Sequence, residues 1–142
     1  MNGDKIVIHS DGGARGNPGP GASAYVIEKG ATILQKSSKH LGRVTNNVAE
    51  YTGVIEALKW ISDNKELVAG SLGPIEFYMD SELVVKQING EYKVKDQKLA
   101  GLFSEVKDLL KNLSNKILFI SVPRNKNKIA DFLVNLELDK ND

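Results

Sequence analysis

Apolar residues fall along this chain in two rhythms. Short runs rich in β-branched and aromatic residues at 5–10 (KIVIHS), 24–28 (AYVIE) and 31–35 (ATILQ) predict three strands, the last two joined at Lys29-Gly30. From residue 48 the rhythm changes. Apolar side chains at 48, 51, 54, 55, 58 and 61 follow helical spacing, with Asn46 and Asn47 placed to cap the helix. GSLGP interrupts that pattern, and IEFYM at 75–79 predicts a fourth strand ending at Asp80, followed by a helical SELVVKQI. NGEYKVKD reads as a basic loop and 99–113 as a second long amphipathic helix. ILFISV at 117–122 reads as a fifth strand, and PRNKNK leads into a last helix from about residue 129. The predicted order is βββαβααβα.

The first three strands can pair antiparallel as a meander. The fourth and fifth each return through helices and so are expected to join in parallel, giving a five-stranded mixed α/β sheet flanked by helices. One segment fits no element: DGGARGNPGPG, from Asp11, has a composition that predicts neither helix nor strand. No repeat or low-complexity tract divides the chain, and 142 residues suffice for one domain with its own core.

Composition narrows the chemistry. Lys and Arg number 19 against 18 Asp and Glu, so no global basic field exists and nucleic-acid binding must rest on local clusters. Cysteine is absent, which excludes disulfides, thiolate metal sites and a cysteine nucleophile. No apolar run approaches the ~20 residues of a membrane span, and MNGDKIVIHS lacks a signal-peptide layout, so a soluble, cytoplasmic protein is expected.

Four carboxylates stand at element ends, each with a plain structural reading. Asp11 precedes Gly12-Gly13, a turn composition. Asp80 stands where a helix N-cap belongs. Glu50 follows Asn47 by three residues, a capping-box spacing. Asp131 falls in the first turn of the last helix, where the macrodipole favours negative charge. Taken together they read differently. Asp11 and Asp80 both end strands, and open α/β sheets bind ligands outside those ends. If the fourth strand lies beside the first, the opening turns of the helices bearing Glu50 and Asp131 complete a cluster. Two carboxylates about 4 Å apart repel by roughly 4 kcal/mol at an effective dielectric near 20, so such a cluster takes up protons or binds cations. With no Cys and only His9 and His40 in the chain, oxygen-loving ions such as Mg²⁺ or Mn²⁺ fit better than zinc. Paired ions of this kind support in-line hydrolysis of a phosphodiester.

The rival reading is a nucleotide cofactor. GPGASA at 19–24 satisfies a loose G-x-G-x-x-A pattern, but Pro20 lies within it and AYVIE continues as strand where that fingerprint must open a helix. No G-K-[ST] sequence follows either. The glycines can still bring a backbone close to sugar or phosphate, with Asn17 as donor and acceptor. His9 reads as a packed strand residue and Trp60 as a core residue of its helix.

DGGARGNPGPGASAYVI, TNNVAEYTGVIEAL, MDSELVVKQINGEYKVK and VPRNKNKIAD, in that order and spacing, resemble type 1 ribonuclease H in its short form, without a hybrid-binding domain. The resemblance runs over nearly the whole chain. It implies a ribonuclease H-like fold and endonucleolytic cleavage of the RNA strand of an RNA/DNA hybrid, leaving 5′-phosphate and 3′-hydroxyl ends. A catalytically silent binder of hybrid or double-stranded RNA is the alternative on the same fold. By the resemblance, Asp11 bridges two Mg²⁺ ions, Glu50 and Asp80 hold the one on the leaving-group side, and Asp131 holds the one that activates water. Asn17 and the backbone around Gly12 and Gly13 would read ribose 2′-hydroxyls, where RNA differs from DNA. Thr45 and Asn47 match positions that hold a DNA phosphate, and Asn46 lies nearer the RNA.

Three departures from the family pattern stand out. Many relatives carry a mobile His before the last carboxylate, where PRNKNKIAD offers Arg124 and Asn127, so turnover is expected to rest on Arg124. The Gln two residues beyond the third carboxylate is Glu82, an acceptor only, which puts its RNA contact in question. The basic extension of some relatives is reduced to a loop with Lys93, Lys95 and Lys98, so hybrid binding is expected to be weaker and salt-sensitive. A monomer is expected, with double-stranded RNA as a further possible substrate.

Overall fold

The structure, a computed structural model, describes residues 4–140. Five strands form one sheet in the order β3-β2-β1-β4-β5. β1 (Ile6–Ala14), β2 (Gly19–Lys29) and β3 (Thr32–Val44) make the antiparallel meander, while β4 (Ile75–Met79) pairs parallel with β1 and β5 (Ile117–Ser121) parallel with β4. The expected mixed sheet, with the fourth strand beside the first, is the observed one. Among the described residues no helix is long and apolar enough to cross a membrane.

The strands outrun their sequence signals. β1 continues through Asp11-Gly12-Gly13-Ala14, paired with Gly21–Ala24, so the Gly-rich segment expected to exclude strand supplies the end of β1 and the start of β2. Pairing with the neighbouring strand supplies the hydrogen bonds that composition argued against. β3 runs to Val44, nine residues past the expected end, through a half-exposed edge segment with no apolar period.

The helices follow their periodicity, with corrected caps. α1 spans Asn46–Asp63 and is capped by Thr45, whose Oγ1 accepts from Val48 N; Asn46 and Asn47, expected as caps, lie inside it. α3 (Glu82–Ile88) is capped by Ser81 through Val84 N, not by Asp80. α4 spans Gln97–Lys111 with Asp96 as cap, and α5 spans Lys128–Lys140. A short α2 (Lys65–Val68) and a 3-10 turn at Arg124–Lys126 have no period long enough to read from sequence.

The main core lies between the sheet and α1, α3 and α4. Ile6, Ile8 and Phe77 face Tyr51, Val54 and Leu58, all fully buried. Each such aliphatic or aromatic side chain contributes about 1.5–3 kcal/mol on leaving water. α5 covers the other face through a smaller cluster in which Ala22 and Ala24 of β2 meet Val134 and Leu138. Trp60 packs at the margin of the main core, as expected.

α1 lies against β1 without intervening side chains. A β-carbon at Gly12 would overlap the Ala49 carbonyl, and one at Gly53 would stand 2.9 Å from the Asp11 carbonyl oxygen. Both would meet backbone, which cannot swing aside. Gly53→Ala is therefore expected to cost about 1–3 kcal/mol in urea unfolding, despite the better helix propensity of alanine. A variant as stable as the wild type would show that the contact has slack.

Candidate active site

Four separate elements bring carboxylates to the carboxyl end of β1. Asp11 lies near that end, Glu50 in the second turn of α1, Asp80 directly after β4, and Asp131 in the first turn of α5. All four line one open cleft of ≈780 Å³. Asp11, Glu50 and Asp80 form the tight part: one oxygen from each lies within 4.8 Å of the others. Asp131 stands at the rim, outside that triad.

The glycine contact sets this geometry. Because Gly12 lets α1 close on β1, its N–H donates both to Asp11 Oδ1 (2.9 Å) and to Glu50 Oε1 (2.7 Å). Glu50 is thus bound across to β1 and not back to Asn47 in a capping box. Asp80, relieved of capping by Ser81, brings an oxygen within 4.8 Å of Asp11 and Glu50.

Burial and crowding disturb the acids. Asp11 and Glu50 are each 5% exposed. Loss of hydration, then the charges of Asp80 and Asp131, push the Asp11 carboxyl up to about 7, against the lowering effect of its hydrogen bonds with Glu50 and Gly12. Glu50 is pushed well above the usual carboxylate range, by burial first and by Asp11 next. Its Oε2 is buried without a hydrogen-bond partner. An unpartnered buried oxygen beside two further carboxylates, with no nitrogen or sulfur donor in the set, fits a hard divalent cation.

Arg124 stands beside two of the acids. Its Nε lies 3.8 Å from Asp80 Oδ2 and 3.9 Å from Asp131 Oδ1, and its side chain is 80% exposed, so it spans the rim on a loose tether. Asn127, which follows it, is 1% exposed and bonded to His9 and to the Ser10 carbonyl; it does not stand in the cleft as a second substitute for histidine. His9 is indeed packed, stacked on Tyr78 with ring centroids 5.2 Å apart.

The expected substrate contacts divide into two groups. Gly12, Gly13, Asn46, Asn47 and Glu82 line the cleft. Asn46 Oδ1 accepts from Ala14 N and its own N–H donates to Asn17 Oδ1, so Asn17 is held beside the start of α1, just outside the lining. Thr45 is occupied as the cap. Glu82 points its charge to Lys86, 2.9 Å away, which holds its carboxyl below the usual range. Lys93 and Lys95 are exposed on the loop after α3, away from the acids. Arg15, not anticipated from sequence, also lines the cleft, paired with Asp139 at 2.6 Å; a lone Arg in a glycine loop gives no local signal of that placement.

The fold and this acidic cleft place the chain among ribonuclease H-like proteins, and comparison agrees: a family model described as reverse transcriptase-like matches residues 9–137. Within that class, the chain belongs to the ribonuclease H1 family. LC11 ribonuclease H1, isolated from compost and solved in complex with an RNA/DNA hybrid, superposes with a TM-score of 0.87 at 41% identity, over 96% of this chain and 98% of that one. Ribonuclease H1 of Halobacterium salinarum gives 0.85 at 34% identity, over 96% and 98%. The N-terminal ribonuclease H domain of a Mycobacterium tuberculosis protein gives 0.85 at 40% identity, over 96% and 95%. That bifunctional mycobacterial protein is longer, and the chain spans 36% of its length.

The raised acids make stability depend on pH in the metal-free state. Between the ordinary carboxylate value of 3.8 and about 7, the native protein holds a proton on Asp11 that the unfolded chain has released. Stability therefore falls as pH rises through that window, and the raised Glu50 carboxyl adds to the fall. Urea unfolding in chelator is expected to follow that course, and Asp11→Asn to lessen the slope, leaving the part due to Glu50, and to raise the neutral-pH thermal midpoint by about 5 °C. A wild-type stability that climbs from pH 4 to 7 would contradict the assignment.

Proposed function

We propose that the chain is a metal-dependent endoribonuclease that hydrolyses the RNA strand of RNA/DNA hybrids, leaving 5′-phosphate and 3′-hydroxyl ends. The observation that carries this reading is the triad of buried Asp11 and Glu50 with half-buried Asp80, opening on a cleft in a chain of the ribonuclease H1 family. Asp11, Glu50, Asp80 and Asp131 would hold two Mg²⁺ ions, or Mn²⁺ in their place, which when bound activate water and stabilise the leaving oxygen.

The chain's own residues supply the rest. Gly12 N–H fixes the orientation of Asp11 and Glu50 before any substrate arrives, so the carboxylates need little rearrangement to act. Arg124, exposed and only loosely paired with Asp80 and Asp131, can leave them for the phosphate and neutralise charge as the 5′-phosphate end departs. Asn17 Oδ1 accepts from Asn46 N, which leaves the Asn17 amide nitrogen to donate to a ribose 2′-hydroxyl. Thr45 and Asn47 at the start of α1 would hold the DNA strand by a phosphate, with Lys93 and Lys95 adding salt-sensitive attraction. Specificity is then for sugar and groove shape. Double-stranded RNA offers the same 2′-hydroxyls and is the natural second substrate.

Labelled RNA/DNA hybrid, double-stranded RNA, single-stranded RNA and duplex DNA, each with Mg²⁺, Mn²⁺ or chelator, test the reading directly. Hybrid cleavage with a metal and none in chelator is expected; hybrid binding without cleavage by either metal would instead identify a silent binding module. Asp80→Asn is expected to keep the fold and hybrid binding and to lower turnover by at least about 100-fold, since Ser81 and not Asp80 caps α3. Arg124→Ala is expected to slow turnover roughly tenfold with an unchanged melting temperature. An unaltered rate in either variant would remove that residue from the mechanism.

A further inference from the structure

Asn127 is the one buried polar side chain in a stretch, residues 124–129, whose other side chains are exposed. All four of its polar groups are engaged, and they point two ways. Its N–H donates to the Arg124 carbonyl (2.9 Å) and its carbonyl accepts from Asp131 N (3.1 Å), the two rim residues of the cleft. Its side chain turns to β1: Nδ2 donates to the Ser10 carbonyl (2.8 Å) and Oδ1 meets His9 Nδ1 (3.0 Å). The Ser10 carbonyl can only accept, so the amide nitrogen must face it and the amide oxygen must face His9. His9 Nδ1 therefore carries the proton and donates. The His9 ring is itself fixed by its stack on Tyr78.

From this arrangement we propose that Asn127 and His9 are positioning residues for the cleavage reaction. They form a clamp, buried at Asn127 and half-buried at His9, that ties the segment bearing Arg124 and Asp131 to the strand bearing Asp11. The inference rests on the hydrolytic reading and adds a requirement to it. Asp11, Glu50 and Asp80 are set by strands and by the α1 contact. Arg124 and Asp131 sit on a 3-10 turn and a helix start, and the clamp joins that segment to β1 at Ser10, one residue before Asp11. Without it the rim groups would keep their chemistry and lose their distance from the triad, and misplacement on the scale of 1 Å is costly for an in-line reaction. Substrate binding through the glycine loop and the start of α1 would be spared.

The test measures kcat and KM on an RNA/DNA hybrid with Mg²⁺ for wild type, Asn127→Ala, His9→Phe and the double variant, at a temperature where near-ultraviolet circular dichroism shows each to be folded. Asn127→Ala is expected to lower kcat by roughly 10- to 100-fold with KM changed less than about twofold. His9→Phe, which keeps the stack but not the donor, is expected to lose about three- to tenfold, and the double variant to be no slower than Asn127→Ala, as members of one unit are non-additive. Should Asn127→Ala not fold, His9→Phe carries the test. An active wild type whose His9→Phe variant keeps full kcat, or whose Asn127→Ala variant loses activity only in proportion to its folded fraction, would overturn the clamp alone. A wild type silent on the hybrid would remove the hydrolytic reading and the clamp's role with it.

Discussion

The close contact between α1 and β1 is the constraint on which the rest depends. A helix normally stands off a sheet by the depth of its side chains, about 10 Å between axis and sheet plane. Here Gly12 and Gly53 remove that spacing at one point, and backbone meets backbone. The gain is positional. Glu50 and Asp11 come to share a single N–H, and β4, parallel to β1, delivers Asp80 to the same place. The apolar core of Ile8, Phe77, Val54 and Leu58 holds the contact shut from below.

That core also bears the electrostatic cost. Two buried acids with raised proton affinity, one with an unpartnered oxygen, oppose folding at neutral pH. Proteins tolerate such strain where function gathers, and a bound cation relieves it by replacing the protons. Stability and function are therefore coupled through the same few oxygens. The rim, in contrast, is partly solvated: Arg124 and Asp131 interact across nearly 4 Å with the Arg124 side chain 80% exposed, so the energy of that pair is small and its geometry must come from elsewhere.

Helices were legible in the sequence because their apolar spacing is set by the core they face; α1, α3, α4 and α5 lie within a few residues of expectation. Strand ends were not. β1 through Ala14 and β3 through Val44 are built from glycine and polar residues whose strand state comes from pairing with β2, a non-local fact. Caps moved by one or two positions, Ser81 for Asp80 and Thr45 for Asn46 or Asn47, because adjacent residues of similar capping chemistry cannot be ranked without the backbone. The acidic cluster was visible as a topological expectation, since strands 1 and 4 had to be neighbours for it to form. Asn127 was invisible in its main aspect: nothing in PRNKNK distinguishes its one buried polar residue from its exposed ones.

The two faces of the sheet are covered to very different depths. On one side a broad cluster spans α1, α2, α3 and α4; on the other, α5 is seated on two alanines through Val134 and Leu138, with Phe132, 62% exposed, turned to solvent. Local opening follows such differences, and elements with few buried apolar contacts detach at a lower free energy than the domain unfolds. α5 is therefore expected to open at a lower free energy than the sheet and α1, from the end beyond the Asn127 contacts. The cleft then has walls of unequal depth, with Asp11, Glu50 and Asp80 on elements of the deeper core and Asp131 on α5, and amide hydrogen exchange is expected to see α5 as a separate, faster-exchanging layer.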